Sequence, residues 1–182
     1  MKELEYPFDA AYIIKKRKSL KKTLLADGTS RIRKKIAVFG GSTTSDIVKT
    51  LELFLLDAGI EPEFYESEYA QYFQDAMFPD ETLLSFKPDI VFIHTTNRNV
   101  TDWPEMTDTT EQIDEKLHTE INRFTAMWKS IAEKFHCPII QNNFEMPLYR
   151  LLGSRDACVG HPRPHEFPCL LYTSPSPRDT ER

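Results

Sequence analysis

The sequence predicts an α/β fold: a three-layer α/β/α arrangement around a mainly parallel sheet, preceded by an N-terminal helix. Three observations predict it. Short apolar runs alternate with stretches of helical period, in the order α-β-α-β-α-β-α-β. The run Ile90-Val91-Phe92-Ile93 is apolar throughout, as in a parallel strand buried on both faces. The segment Ile36-Ala37-Val38-Phe39-Gly40-Gly41-Ser42-Thr43-Thr44-Ser45 passes from apolar run to glycines to a hydroxyl cluster, which reads as strand, tight turn and helix start.

The elements follow in order. Residues 9–26 are predicted helical, with Tyr12, Ile13, Leu20, Leu24 and Leu25 on one face, Lys15 to Lys18, Lys21 and Lys22 on the other, Asp9 as cap and Gly28 past the end. Ile36 to Phe39 is the first strand. A helix over 45–58 carries Ile47, Leu51, Phe54 and Ala58 on one face, with Thr44 or Ser45 as N-cap and Gly59 as the positive-φ residue after its end. Pro62 to Glu66 is the second strand. Tyr69 to Phe78 reads as helix, 80–86 as a short helix or turn, and Ile90 to Ile93 as the third strand. Residues 109–136 form the longest helix, through Ile113, Leu117, Ile121, Phe124, Trp128, Ile131 and Phe135. Cys137 to Ile140 is the fourth strand. Trp103 and Trp128 read as packing residues. His118 and His136 read as surface.

Composition fits one globular domain: 182 residues, 40% hydrophobic and 28% charged. The net charge of −5 is uneven. Residues 1–35 hold 11 Lys/Arg against 4 Asp/Glu, and the remainder 12 against 24. Such a basic arm suits either a solvated helix face with a linker or an acidic partner. No RNA-reading motif accompanies it, so nucleic acid is not expected as a partner. Cys137, Cys158 and Cys169 form no CxxC pair and no metal spacing, which suits reduced thiols in a cytoplasmic protein and no metal site. No signal peptide or membrane segment is expected. The division is 1–35 as basic helix and linker, 36–168 as the α/β domain, and 169–182 as a tail. The tail follows no period and reads as a non-native adapter translation or as a Ser/Pro-rich disordered end.

Three strands end in polar clusters: Gly41 to Ser45, His94 to Asn99, and Gln141 to Asn143. Parallel strands bring all three to one sheet edge, where ligands collect in open α/β folds. Ser42 on the turn can expose its hydroxyl, with backbone N–H groups to hold an oxyanion, or can merely help cap the helix. Asn97 can donate its amide to an oxyanion or act as a turn residue. These two are the candidate catalytic residues. Gly40, Gly41, Thr43, Thr44, His94 and Asn142 are the candidate substrate- or anion-binding residues. The string matches neither GxSxG, GxGxxG nor the P-loop. A weaker reading is a nucleotide or phosphate binder with Glu66 at ribose spacing.

Phe39-Gly40-Gly41-Ser42 sits where SGNH (GDSL-type) hydrolases carry Gly-Asp-Ser, and His94-Thr95-Thr96-Asn97 where they carry Gly-x-Asn-Asp. The chain resembles more closely the N-terminal domain of FkbH-like proteins. The likeness covers roughly residues 6–168 and runs through Tyr6-Pro7-Phe8-Asp9, Gly40 to Thr44, Leu51 to Leu56, Gly59 to Tyr69, Lys87-Pro88-Asp89-Ile90, Asn97-Arg98-Asn99, Gln141 to Phe144 and Arg150-Leu151-Leu152-Gly153. This resemblance implies an SGNH/flavodoxin-like fold. It also implies a parent that joins this domain to a HAD-superfamily phosphatase domain using Mg²⁺ and a DxDx[TV] Asp. Such a parent loads or hydrolyses a glyceryl-type acyl or phosphoryl group on an acyl or peptidyl carrier protein, in polyketide, nonribosomal peptide or surface-glycan biosynthesis.

The chain departs from these patterns. It has no DxDx[TV] motif, and so no HAD domain of its own and no cofactor expected here. Gly41 replaces the Asp before the serine, and no glycine follows the second strand. His161 and His165 have no Asp three residues before them, and Val159 stands three after Asp156, so the Asp-x-x-His block is missing. Ser42 is therefore expected to lack a base and the chain to be inactive alone. The alternative expectation is a docking module that binds a carrier protein or orients the HAD domain.

Overall fold

A computed structural model describes residues 1–105 and 107–145. The readings of Cys158, Cys169, His161 and His165, of residues 146–168 and of the tail lie outside the described residues.

The helix predicted first is α1 (Ala10–Ala26), with the Asp9 carboxylate accepting the Tyr12 N–H at 3.0 Å. Its apolar stripe is narrower than expected. Ile13, Leu20 and Leu24 are buried, whereas Tyr12 and Leu25 are 43% and 51% exposed. Each lies one residue, about 100° of helix rotation, away from the buried line. The stripe packs on Leu53 and Leu56 of α2 (Ser45–Asp57).

β1 (Ile32–Gly40) begins four residues earlier than its apolar run. The early part is exposed and charged, so hydrophobicity does not mark it. Pairing does: Ile32 aligns with Ile60 at the start of β2 (Ile60–Glu66), and Arg33 meets Glu61 at 3.5 Å. Pro62 is accommodated because β2 is an edge strand, bonded among the described residues only to β1. Gly59 takes φ +82° between α2 and β2, as predicted.

Of the helix expected over Tyr69–Phe78, only α3 (Tyr72–Met77) forms. Ala70 adopts φ +59°, which breaks helical continuity. α4 (Glu81–Phe86) is capped by the Asp80 carboxylate on the Leu83 N–H at 2.7 Å. β3 (Ile90–His94) follows. A 3₁₀ turn at Asn97–Asn99 leads toward α5 (Thr110–Phe135), which opens with a Thr109/Gln112 capping box. β4 (Ile139–Gln141) starts two residues later than predicted, after His136 in the left-handed region at φ +50°.

The sheet is wholly parallel, in the order β2-β1-β3-β4. Side-chain alternation sends Ile36 and Val38 of β1 toward Val48 and Leu55 of α2. Ala37, Phe39, Val91 and Ile93 face the other way, into the main core with Tyr72, Leu83, Phe124, Met127 and Ile131 from α3, α4 and α5. Helices thus cover both faces, giving the expected α/β/α layers. The chain turns back across the sheet between β1 and β3, so the switch point lies at their carboxyl ends.

Asp89 fastens the opposite end of this pair. Its carboxylate accepts the Lys35 N–H at 2.8 Å and the Lys34 ammonium at 3.1 Å. The backbone donor first, and the ammonium second, hold this carboxyl below the usual carboxylate range. A depressed folded-state value gives stability that is present above the unfolded-state value and lost on acidification. Asp89→Asn is therefore expected to lower Tm at pH 7, and the gap to the parent should close below about pH 4. Thermal melts across pH check this.

Candidate functional site

β1 ends in a turn that has to be glycine for lack of room, not for unusual φ. The Gly41 N–H donates to the His94 carbonyl at 2.8 Å, carrying the β1–β3 ladder one step past Gly40. A Cβ on Gly40 would lie 2.8 Å from Thr44 Cγ2 and 2.9 Å from the Ser42 carbonyl. A Cβ on Gly41 would lie 2.4 Å from Asn99 Oδ1. All three distances are closer than real contacts allow.

Ser42 is half-buried on this turn, and its hydroxyl has no hydrogen-bond partner among the described residues. Thr43 is exposed. Thr44 precedes α2 but does not cap it. It is buried, and its hydroxyl instead donates to Glu66 Oε1 at 2.7 Å, joining the ends of β1 and β2. The leading amides of α2 therefore have no side-chain cap, and Glu66 already has a partner within the protein.

The loop after β3 supplies the other half of the rim. Asn97 opens the 3₁₀ turn, and its backbone N–H donates to Glu145 Oε2 at 3.2 Å. Its side-chain amide has no partner among the described residues. Asn99 is the amide that joins the two loops. Its Nδ2 donates to the Gly41 carbonyl at 3.0 Å, while Oδ1 accepts the Thr96 N–H at 2.8 Å. Sequence reasoning missed this role, although the Thr96-x-x-Asn99 spacing is that of a capping box.

Asn142, beyond β4, completes the rim. Its Nδ2 donates to the Thr95 carbonyl at 2.7 Å and its Oδ1 accepts the Thr95 N–H at 3.0 Å, so one amide reads the backbone in both directions. Oδ1 also meets His94 Nδ1 at 3.1 Å. Gln141 joins Thr95 Oγ1 at 3.1 Å and accepts from Trp128 Nε1 at 2.6 Å.

Behind the rim lies an ion pair that the sequence did not reveal. Glu120 on α5 is fully buried and accepts from Arg123 Nε and Nη2 at 3.1 and 2.8 Å. Its other oxygen accepts the Thr101 N–H at 2.9 Å and also the Thr101 hydroxyl. Arg123 donates onward to the Asn99 carbonyl at 2.7 Å and to the Tyr72 hydroxyl at 2.9 Å, over the faces of Phe124 and Phe73. Helix α5 thereby fixes the backbone that carries Asn99.

Beside the rim, Ser67 donates its hydroxyl to Asp75 Oδ2 at 2.6 Å, yet burial pushes the Asp75 carboxyl up, with Asp80 and Glu68 adding to the rise. A raised folded-state value means that ionising Asp75 opposes folding once the pH passes the unfolded-state value. Asp75→Asn should therefore raise Tm at pH 7, with the advantage vanishing below about pH 4, as melts at several pH values would show.

Chemically, the rim offers amide and hydroxyl groups with one imidazole. That set suits a carboxylate, acyl or phosphoryl oxygen. It does not suit Mg²⁺, which wants carboxylates and water. No cluster of three or more His, Cys, Asp or Glu residues able to hold a metal occurs among the described residues. None of their helices is long and apolar enough to cross a membrane.

No protein-family model matches the chain, and no curated protein sequence does. Among solved structures, the chain is similar in fold to the N-terminal part of the protein BF1531 from Bacteroides fragilis, described as containing a phosphatase domain complexed with Mg. The TM-score is 0.63 at 17% identity, over 86% of this chain and 39% of that one. At that identity the likeness carries the fold.

Proposed function

We propose that this chain is the N-terminal α/β domain of an FkbH-like hydrolase or transferase, and that its rim receives the acyl or carboxylate part of the substrate. The observation that carries the reading is the junction of the 41–44 turn with the 94–99 loop at the switch point, made by the Gly41–His94 and Asn99–Gly41 hydrogen bonds. Ser42 and the Asn97 side chain stand on this rim with no bond to other described residues, and the α2 amides lack a side-chain cap. The fold likeness to a phosphatase-containing protein supports the same parentage. In this reading the parent transfers a glyceryl-type group to, or hydrolyses it from, a cytoplasmic carrier protein, and Mg²⁺ serves only the HAD domain.

Titration with phosphoglycerate, followed by backbone amide NMR, tests the reading. Shifts should cluster at residues 40–45 and 94–99. Ser42→Ala or Asn97→Ala should weaken binding about tenfold or more, the worth of one hydrogen bond to a charged group. Shifts confined to other surfaces would refute it.

A groove between α1 and α2 favours a second reading, in which the domain docks an acidic carrier protein or orients the HAD domain. The groove holds about 530 Å³ and is lined by Ile14, Lys15, Lys18, Lys49 and Leu53, among others. Arg17 and Lys21 are paired with Asp46 and Glu52, whereas Lys15, Lys18 and Lys49 have no ion-pair partner among the described residues. Binding of a carrier protein should weaken with salt and disappear in Lys15→Glu/Lys18→Glu, while surviving Ser42→Ala. Salt-insensitive binding would argue against this reading.

A further inference from the structure

We propose that His94, oriented by Asn142, is the general base for Ser42, so that the rim is a nucleophilic site as well as a binding one. This rests on the rim being the functional site. A base for Ser42 need not come from an Asp-x-x-His block. The structure supplies an imidazole from β3.

The argument turns on one amide. Asn142 Nδ2 donates to two carbonyls, Thr95 O at 2.7 Å and Asn143 O at 2.8 Å, and only an NH₂ group can do that. Its Oδ1 accepts the Thr95 N–H at 3.0 Å. The amide is thus fixed from three sides, and the atom that meets His94 Nδ1 at 3.1 Å is an acceptor. Nδ1 must therefore carry a hydrogen, and in the neutral ring the lone pair is on Nε2. Nε2 has no partner among the described residues. Asn142 is a positioning residue here, the third member of a Ser-His-Asn set.

Placement puts His94 and Ser42 on one sheet edge, with no hydrogen bond yet formed between the two side chains. His94 registers with Gly40 on β1. Its ring lies on the α2 side of the sheet, 6.2 Å from Phe92, which packs in the Ile36–Val38–Val48 cluster. Gly40 contributes no side chain opposite the ring, and Ser42 follows two residues later. In an acyl transfer, Ser42 Oγ bonds to the carbonyl carbon while its proton passes to Nε2. The leaving oxygen departs with its bonding pair and takes that proton. Water then bonds to the acyl carbon as Nε2 takes its proton, and Ser42 Oγ leaves with the electron pair of its ester bond and recovers that proton, releasing the acid.

A fluorophosphonate probe tests this directly, because Ser42 Oγ bonds to phosphorus and fluoride leaves. Intact mass and peptide mapping should show one adduct, on Ser42, absent in Ser42→Ala. His94→Gln should slow labelling at least 100-fold, the scale of lost base catalysis. Nitrogen-15 NMR of the unmodified protein should show His94 protonated at Nδ1 and bare at Nε2. Asn142→Ala should shift the ring toward the other tautomer, a change that lost packing alone would not make. Labelling that persists in a folded His94→Gln, or a ring protonated at Nε2 in the parent, would overturn the assignment. Absence of any Ser42 adduct, with phosphoglycerate still shifting the rim amides, would overturn it while leaving the binding reading intact.

Discussion

Replacing Arg123 by methionine is expected to destabilise the protein by about 3–5 kcal/mol, the scale for removing one partner of a buried ion pair. Glu120 would keep its charge in a fully buried position and retain only Thr101 as a donor. The Asn99 carbonyl and the Tyr72 hydroxyl would each lose the hydrogen bond they now make with the guanidinium. Urea denaturation measures the loss. Pairing the change with Glu120→Leu should recover much of it, because the stranded charge disappears and both side chains become apolar. The double variant should still show altered amide shifts at residues 99–101, since the hydrogen bonds from α5 to the Asn99 carbonyl and the Thr101 N–H are then gone. A single variant as stable as the parent would mean that the pair contributes nothing.

Gly41→Ala is expected to cost about 1–3 kcal/mol, as overpacking of a fitted site does, and to abolish the rim's response to phosphoglycerate. The added methyl would lie 2.4 Å from Asn99 Oδ1 and 2.6 Å from both Cγ and Nδ2. That amide has little freedom to retreat, because it holds the Gly41 carbonyl at one end and the Thr96 N–H at the other. Asn99→Ala alone loses the link between the loops. Gly41→Ala/Asn99→Ala relieves the clash, so the two costs should sum to more than the measured loss of the double variant. Strict additivity would show that the two residues do not interact.

Much of the fold was legible because burial leaves a periodic trace. The α5 spacing from Ile113 to Ile131, the unbroken run of β3 and the glycines that follow each give away their element. What hydrophobicity could not show was pairing outside the core. The exposed starts of β1 and β2 are strands because they bond to each other, and their Arg, Lys and Glu side chains hide it. The rim was legible as a set of strand ends. Its internal wiring was not: Asn99 rather than Asn97 meets Gly41, and Thr44 serves Glu66 rather than α2. Such choices depend on distances across strands, which spacing along the chain does not carry. Glu120 and Arg123 look like an ordinary surface pair on the long helix until their burial is known.

Pro62 has a consequence for how the sheet meets other polypeptides. An edge strand accepts proline only where the nitrogen faces away from its neighbour, so β2 presents a gap in its outward row of donors, bracketed by Glu61 and Glu63. A stray strand finds a poor template there. β4, the opposite border among the described residues, holds neither proline nor charge along Ile139–Gln141 and exposes Ile140. Among the described strands the sheet is thus asymmetric as a surface for β-addition: the β2 border repels recruitment, and the β4 border carries no such guard.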